Sequence, residues 1–233
     1  MVRILKNCIA DSLHLFFPHY CEGCGVDLLD RSAIVCYSCQ QSLPTTDFFM
    51  RKNNPVEKSF YGRLALQEAG AAYYFTKDSL LQHLLVELKY KSNTAAGYFL
   101  GRMMGYHLIS ATNYANIDAI IPLPLHKKKQ KMRGYNQAEI ICQGIQSIWN
   151  KPIITDAIIR TSFSETQTLQ NRINRWQNMN GIFALKNAAI INKKHLLLVD
   201  DVTTTGATLE ACGSVLLSAP GVKLSIATVA YTS

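Results

Sequence analysis

Leu196-Leu-Leu-Val-Asp-Asp-Val-Thr-Thr-Thr-Gly-Ala-Thr208 decides how this chain is read. The apolar run Leu196 to Val199 predicts a strand buried on both faces, stopping at two adjacent carboxylates, Asp200 and Asp201. Thr203, Thr204, Thr205, Gly206, Ala207 and Thr208 then form a hydroxyl-rich turn, and Leu209, Leu216 and Leu217 predict a helix over 207–218. A helix N-terminus brings unpaired N–H groups and partial positive charge. Gly206 lets an anion approach the backbone, and threonine hydroxyls add donors, so the turn suits a monophosphate. It holds no lysine and is therefore not the GxxxxGK[ST] loop of nucleoside triphosphate binders. Aspartates can accept hydrogen bonds from a sugar diol and help to hold Mg²⁺, usually through water. Phosphate, diol and metal together describe a phosphorylated ribose. The plainer alternative is a buried strand before a helix that the acids merely cap.

Outward from this stretch, the 233 residues suffice for one well-buried α/β domain with a small appendage, and 48% hydrophobic content is ordinary for a globular protein. A net charge of +8 favours anionic partners, either phosphorylated small molecules or nucleic acid, without choosing between them. Residues 2–17 place Val2, Leu5, Ile9, Leu13, Phe16 and Phe17 near one helical face, with Cys8 as a small core residue. Lys6, Asn7, Asp11 and His14 interrupt that run, so neither a signal-peptide core nor a membrane span is expected, and the protein is expected to be cytoplasmic.

Cys21-Glu-Gly-Cys24 and Cys36-Tyr-Ser-Cys39 are two CxxC knuckles. Each converges two sulfurs on one point, as tetrahedral Zn²⁺ requires; disulfides are the alternative, but nothing marks the chain for export. Four thiolates leave no open coordination position, so such a zinc would be structural. This module is expected to need the metal to fold and to leave the larger domain standing when the metal is lost. The expected division is a helix and zinc module over 1–45, a linker over 46–68 and an α/β domain over 69–233.

Within that domain the pattern predicts strands over 71–75, 118–125, 153–160 and 223–231 and helices over 80–88, 95–109 and 138–149. Gly97, Gly101 and Gly105 on one side of a helix that also carries Arg102 predict close packing rather than a membrane contact. Alternating strands and helices imply a parallel sheet covered on both faces, with ligands at the carboxyl ends of its strands. Residues 126–133 hold five of the chain's 24 Lys and Arg residues and read as a basic loop, either solvated or anion-binding.

Val199 to Thr208 resembles the 5-phosphoribosyl-1-pyrophosphate (PRPP) signature of type I phosphoribosyltransferases. Pro122-Leu-Pro-Leu-His126 and Arg133-Gly-Tyr-Asn-Gln-Ala-Glu139 resemble the ComF competence-protein branch of that fold, which also includes the GntX-like proteins. Gln167-Thr168, Arg175, Asn178 and Gly181-Ile-Phe183 resemble another ComF pattern, and the likeness extends over nearly the whole chain, zinc module included. The resemblance implies a phosphoribosyltransferase-type sheet that binds PRPP with Mg²⁺. Asp200 and Asp201 would face the ribose and hold Mg²⁺ indirectly, and Thr203 to Thr208 would hold the 5′-phosphate.

Leu88-Lys-Tyr-Lys91 resembles the family's pyrophosphate loop, with Ser92 where a glycine is common, which makes Lys89 and Tyr90 candidate ligands. Lys127, Lys128, Lys129, Lys131, Arg133 and Tyr135 would form a mobile loop that closes over the pyrophosphate. Asp200, Asp201, Lys89 and Arg133 are the candidate catalytic groups, and no acceptor site is recognisable. ComF proteins are associated with natural transformation, so a second function class stays open. The basic loop beside Tyr135 would then track single-stranded DNA by phosphate contacts and stacking.

Overall fold

The computed structural model describes residues 18–28, 30, 32–161 and 181–232. The helix expected over 2–17, with Cys8, and the pattern residues Gln167, Thr168, Arg175 and Asn178 lie outside the described residues. Six strands are described: β1 (Ala69–Tyr74), β2 (Ala119–Pro122), β3 (Ile158–Arg160), β4 (Phe183–Leu185), β5 (His195–Thr203) and β6 (Lys223–Tyr231). The helices are α1 (Tyr37–Gln41), α2 (Pro55–Lys58), α3 (Leu80–Tyr90), α4 (Thr94–Ser110), α5 (Lys127–Arg133), α6 (Gln137–Trp149) and α7 (Ala207–Leu217). β1, β6, β5 and β2 form a parallel sheet in that order, and β3 pairs with β4 antiparallel.

Side chains alternate across a strand, and β5 makes this concrete. Leu197 and Val199 join the core shared with α3, α4 and α6, whereas Leu196 and Leu198 join the core shared with α7, Ile158 and Phe183. All four are fully buried, as a central parallel strand covered on both faces requires. On the first face α4 and α6 cross through glycines. A Cβ on Gly101 would lie 2.1 Å from the Ile141 carbonyl oxygen, and one on Gly144 would lie 2.3 Å from that of Tyr98. The glycine spacing in α4 therefore reflects close packing.

Two expectations need correction. Residues 46–68 are part of the core: Phe48, Phe49, Val56 and Phe60 are buried, on the two faces of the sheet. The anchor is Asn54, which has no exposed surface. Its Nδ2 donates to the carbonyls of Phe48 (3.0 Å), Arg51 (2.9 Å) and Ala69 (2.7 Å). Its Oδ1 accepts from Val56 N at 2.9 Å and Glu57 N at 3.1 Å, capping α2. One amide thus fastens the segment to β1. The cysteine-rich module is likewise no appendage, because Leu28, Ile34, Val35 and Leu43 share a core with Leu81, Leu84, Leu85 and Leu88 of α3.

Asn54→Ala removes a buried side chain and orphans three carbonyls and two amides, so the loss of stability is expected to be about 3 kcal/mol. Chemical denaturation of the two proteins measures it; a change under about 0.5 kcal/mol, the surface-substitution range, would refute the anchoring role.

Candidate functional site

The acids do not end β5. The strand continues to Thr203, so Asp200 and Asp201 are consecutive residues within it and project to opposite faces. Asp201 follows Leu197 and Val199 toward α3, where Lys89 Nζ lies 2.9 Å from its Oδ2. Asp201 is 5% exposed, so this pair sits at the base of the site rather than on its surface. Asp200 follows Leu196 and Leu198 toward the other face and accepts the Asp201 backbone N–H at 2.8 Å. Desolvation, and then the neighbouring Asp201 charge, push the Asp200 carboxyl well above the ordinary carboxylate range. That amide, Lys89 and Arg160 of β3 oppose the shift.

Thr203 belongs to the strand. It is buried, and its hydroxyl donates to Thr228 Oγ1 of β6 at 3.1 Å, so that hydroxyl is engaged within the sheet while the residue borders the depression beside the turn. Thr204, Thr205 and Thr208 are exposed around a depression of about 60 Å³, which Asp200 and Gly206 also line. Gly206 turns the chain at φ 72°, a left-handed conformation that side chains resist. Space excludes one as well, because a Cβ there would lie 2.8 Å from the Phe60 ring. Gly206 is the N-cap of α7 and offers no capping side chain, which leaves the helix N-terminus to the turn. Thr205 Oγ1 reaches the Ala207 amide at 3.5 Å.

The turn is supported by residues the sequence reading passed over as linker. Arg63 donates to the Thr205 carbonyl at 3.1 Å and the Ser59 carbonyl at 2.8 Å, and its Nε donates to Glu210 Oε2 of α7 at 3.0 Å. Phe60 and Arg63 thus fix the turn from beneath. The clue was the aromatic content of 46–68, which a solvated spacer does not need.

The expected pyrophosphate loop begins within a helix: Lys89 and Tyr90 end α3, and Tyr90 is 75% exposed. Ser92, where a glycine is common, does take the left-handed conformation, at φ 57°. The basic segment is also helical. His126 caps α5 by accepting the Lys128 amide at 3.2 Å, and Gly134 closes it at φ 86°. Lys127, Lys128, Lys129 and Lys131 make no salt bridge with a described residue, and Met132 beside them is 80% exposed. Lys127 and Gln130 border a cavity of about 150 Å³ shared with Arg160 and Asn136, a different depression from that of the threonine turn.

The residues after α5 stitch elements together. Tyr135 donates its hydroxyl to the Leu88 carbonyl, and Arg133 donates to Gln137 Oε1. Asn136 caps α6 through Ala138 N at 3.1 Å and donates to the Leu123 carbonyl at 3.0 Å.

A second cluster lies in the cysteine module, where the four sulfurs of Cys21, Cys24, Cys36 and Cys39 lie within 4.8 Å of one another. Backbone amides point at them: Cys36 N and Gly23 N reach Cys21 Sγ at 3.2 Å and 3.4 Å, and Cys39 N reaches Cys36 Sγ at 3.4 Å. Burial raises the Cys21 thiol, but the amides of Cys36, Cys24 and Gly23 outweigh it and bring it down to about 6. Burial and the neighbouring sulfurs push Cys39 up to about 12. Four thiols so close cannot all ionise without a cation among them, which is the condition a tetrahedral metal meets. The donor set therefore fits Zn²⁺.

No family model matches the chain. It is 35% identical to competence protein F of Haemophilus influenzae over 206 residues, 86% of this chain and 79% of that protein. It is 26% identical to DNA utilization protein YhgH of Escherichia coli K12 over 140 residues, and the match spans 61% of that relative's length and 59% of this chain. Competence protein ComFC of Bacillus subtilis matches at 31% identity over 42% of this chain and 38% of its own. Among solved structures, glutamine phosphoribosylpyrophosphate amidotransferase from B. subtilis, complexed with ADP and GMP, aligns with TM-score 0.41 and 16% identity over 57% of this chain and 26% of its own. No helix among the described residues is long and apolar enough to cross a membrane.

The two acids are expected to answer substitution differently. The folded Asp200 carboxyl holds its proton more tightly than the unfolded one, so stability is lost as the pH rises from the unfolded pKa through the folded one. Asp200→Asn is therefore expected to raise the melting temperature at neutral pH, with the gain vanishing as pH falls toward 3.8, the ordinary value for the group. Asp201→Asn leaves Lys89 without its counter-ion and is expected to cost about 2 kcal/mol, part of the charge being hydrated. Melting curves across pH measure both; equal effects from the two would contradict the assignment.

Proposed function

This chain belongs to the competence protein F family, and from that footing we propose that it binds PRPP with Mg²⁺ at the Asp200–Thr208 turn and transfers the phosphoribosyl group to an acceptor. The observation that carries this reading is the turn itself: three exposed threonine hydroxyls and an uncapped helix N-terminus beside two acids with different partners. Thr204, Thr205, Thr208 and the amides of Gly206 and Ala207 would hold the 5′-phosphate. Asp200 and Asp201 would accept hydrogen bonds from the ribose hydroxyls, and through water they would hold Mg²⁺, which supplies positive charge to the leaving pyrophosphate.

In the transfer, the bond from the anomeric carbon to pyrophosphate breaks, its electron pair leaves with the pyrophosphate, and a bond to the acceptor forms. Positive charge builds on the ribose as in glycoside cleavage. Lys89, drawn from Asp201, would neutralise the departing anion, and Arg133 and the α5 lysines would add charge. The same proposal places a structural zinc on Cys21, Cys24, Cys36 and Cys39.

A second reading rests on a separate observation. The lysines of α5, which make no salt bridge among the described residues, form an exposed basic helix, and relatives carry the names DNA utilization protein and competence protein. Single-stranded DNA would be held there by its phosphates.

One calorimetric series tests both readings. PRPP with Mg²⁺ is expected to bind the wild type, and Asp201→Asn, where it remains folded, is expected to bind at least tenfold more weakly, the loss of about one charge-assisted hydrogen bond. No heat of binding with the wild type would refute the PRPP reading. Neutralising Lys127, Lys128, Lys129 and Lys131 together separates the two. A pyrophosphate role lowers PRPP affinity. A DNA role weakens single-stranded DNA binding and flattens its salt dependence, by up to roughly 0.7 in log-log slope for each lost contact.

Metal analysis of protein purified without chelator is expected to return one zinc per chain. Serine at Cys36 should release it, and because the module shares a core with α3, the melting temperature of the whole chain should fall as well. Stoichiometric zinc retained in the serine variant would refute the site.

A further inference from the structure

Glu22 sits inside the first knuckle, between Cys21 and Cys24, yet its carboxylate turns toward α3. Its Oε2 lies 2.9 Å from His83 Nε2, and its Oε1 accepts from Asn93 Nδ2 at 3.2 Å. His83 stands on α3, while Asn93 is the N-cap of α4, accepting the Ala96 amide at 3.2 Å. One carboxylate therefore grips both helices on either side of the bend that joins them. That bend begins two residues after Lys89, at Lys91, and contains Ser92 at φ 57°, a conformation that persists only where surrounding contacts hold it. Within it, Lys91 N and Asn93 N both donate to the Glu87 carbonyl, at 3.1 Å and 3.2 Å.

We propose that Glu22 is a positioning residue: it ties the four-cysteine cluster to the first turn of α3 and to the bend that follows α3, and so sets Lys89, in the last turn between them, against Asp201. The coupling runs through named contacts, from the sulfurs to the knuckle loop, through Glu22 to His83 and Asn93 at either end of the stretch that carries Lys89, and so to the 2.9 Å ion pair. Packing reinforces the same link, since Cys21 and Leu88 share a core.

Glu22, His83 and Glu87 also lie close enough to hold a metal ion of their own. That reading is weaker, because the groups are already partnered. Lys91 Nζ lies 2.7 Å from Glu87 Oε1, and a cation would have to displace that ammonium. A latch uses every contact present, and the inference goes beyond the PRPP reading, holding whatever the Asp200–Thr208 turn binds.

The test uses the full chain purified with its metal. Amide hydrogen exchange over residues 88–94 reports the bend, and the ¹³C signal of reductively methylated Lys89 reports the ion pair. In Glu22→Ala, exchange in that stretch is expected to rise about tenfold and the Lys89 signal to move toward that of exposed lysines, with zinc content unchanged. Glu22→Gln, which can still accept from Asn93 and donate to His83, is expected to restore the wild-type values. His83→Ala lies outside the knuckle and is expected to reproduce the Glu22→Ala result, so it decides the matter if Glu22→Ala loses metal. Wild-type exchange and an unmoved Lys89 signal in His83→Ala with zinc retained would overturn the proposal, as would a Glu22→Gln protein that exchanges as fast as Glu22→Ala.

Discussion

The alternation of side chains along β5 is the constraint on which the rest of the site depends. A central parallel strand must bury both faces, and two consecutive acids within it are therefore sent in opposite directions. Asp201 meets the Lys89 ammonium on the α3 side, whereas Asp200 faces the side of Arg160 and α7. Adjacent in sequence, the two carboxyls acquire different electrostatics: one is paired, and the other is pushed toward its neutral form by burial and by its neighbour. A run of two aspartates in a loop would not be sorted in this way.

How much of this was legible follows from which forces act locally. The core of β5, the helices α3, α4, α6 and α7 and the final strand all carry a period that the sequence displays, and their observed spans match to within a few residues. The extension of β5 through Asp200, Asp201 and Thr203 was not legible, because charged residues at a strand end are tolerated only once particular partners arrive from elsewhere in the chain. Lys89 lies more than a hundred residues earlier, and Thr228 lies on another strand. Helix α5 is signalled by His126 and Gly134, a capping residue and a left-handed stop, but its four lysines give it the composition of a solvated loop. Asn54 was legible only as a cap, from Asn54-Pro-Val-Glu57, which matches its two bonds to Val56 N and Glu57 N. Its three bonds to carbonyls exist only once residues 48, 51 and 69 converge on it.

Residues 133–137 have structural uses of their own. Gly134, Tyr135 and Asn136 each have a structural use: ending α5, bonding the Leu88 carbonyl, and joining the start of α6 to the chain just beyond β2. Tyr135 in particular reaches the residue before Lys89, so the basic helix and the ion-paired lysine are held to a common frame. The lysines of α5 owe their placement to that frame, and their exposed charge is free for an anion because no described residue neutralises it.

The Lys89–Asp201 pair also limits what the proposed ligand can be. Both groups are largely withdrawn from water, Asp201 almost completely, so separating them leaves two poorly hydrated charges unless each is paired again. A bare phosphate would satisfy Lys89 and strand Asp201, and a bare divalent cation would do the reverse. A ligand that brings an anion for the lysine and a cation or hydroxyl donors for the aspartate exchanges both partners together, keeping the local charge balanced throughout. A metal-bound polyphosphate sugar has that composition. On the proposed reading, therefore, the ion pair within the site is also the feature that favours the joint arrival of metal and PRPP over either alone.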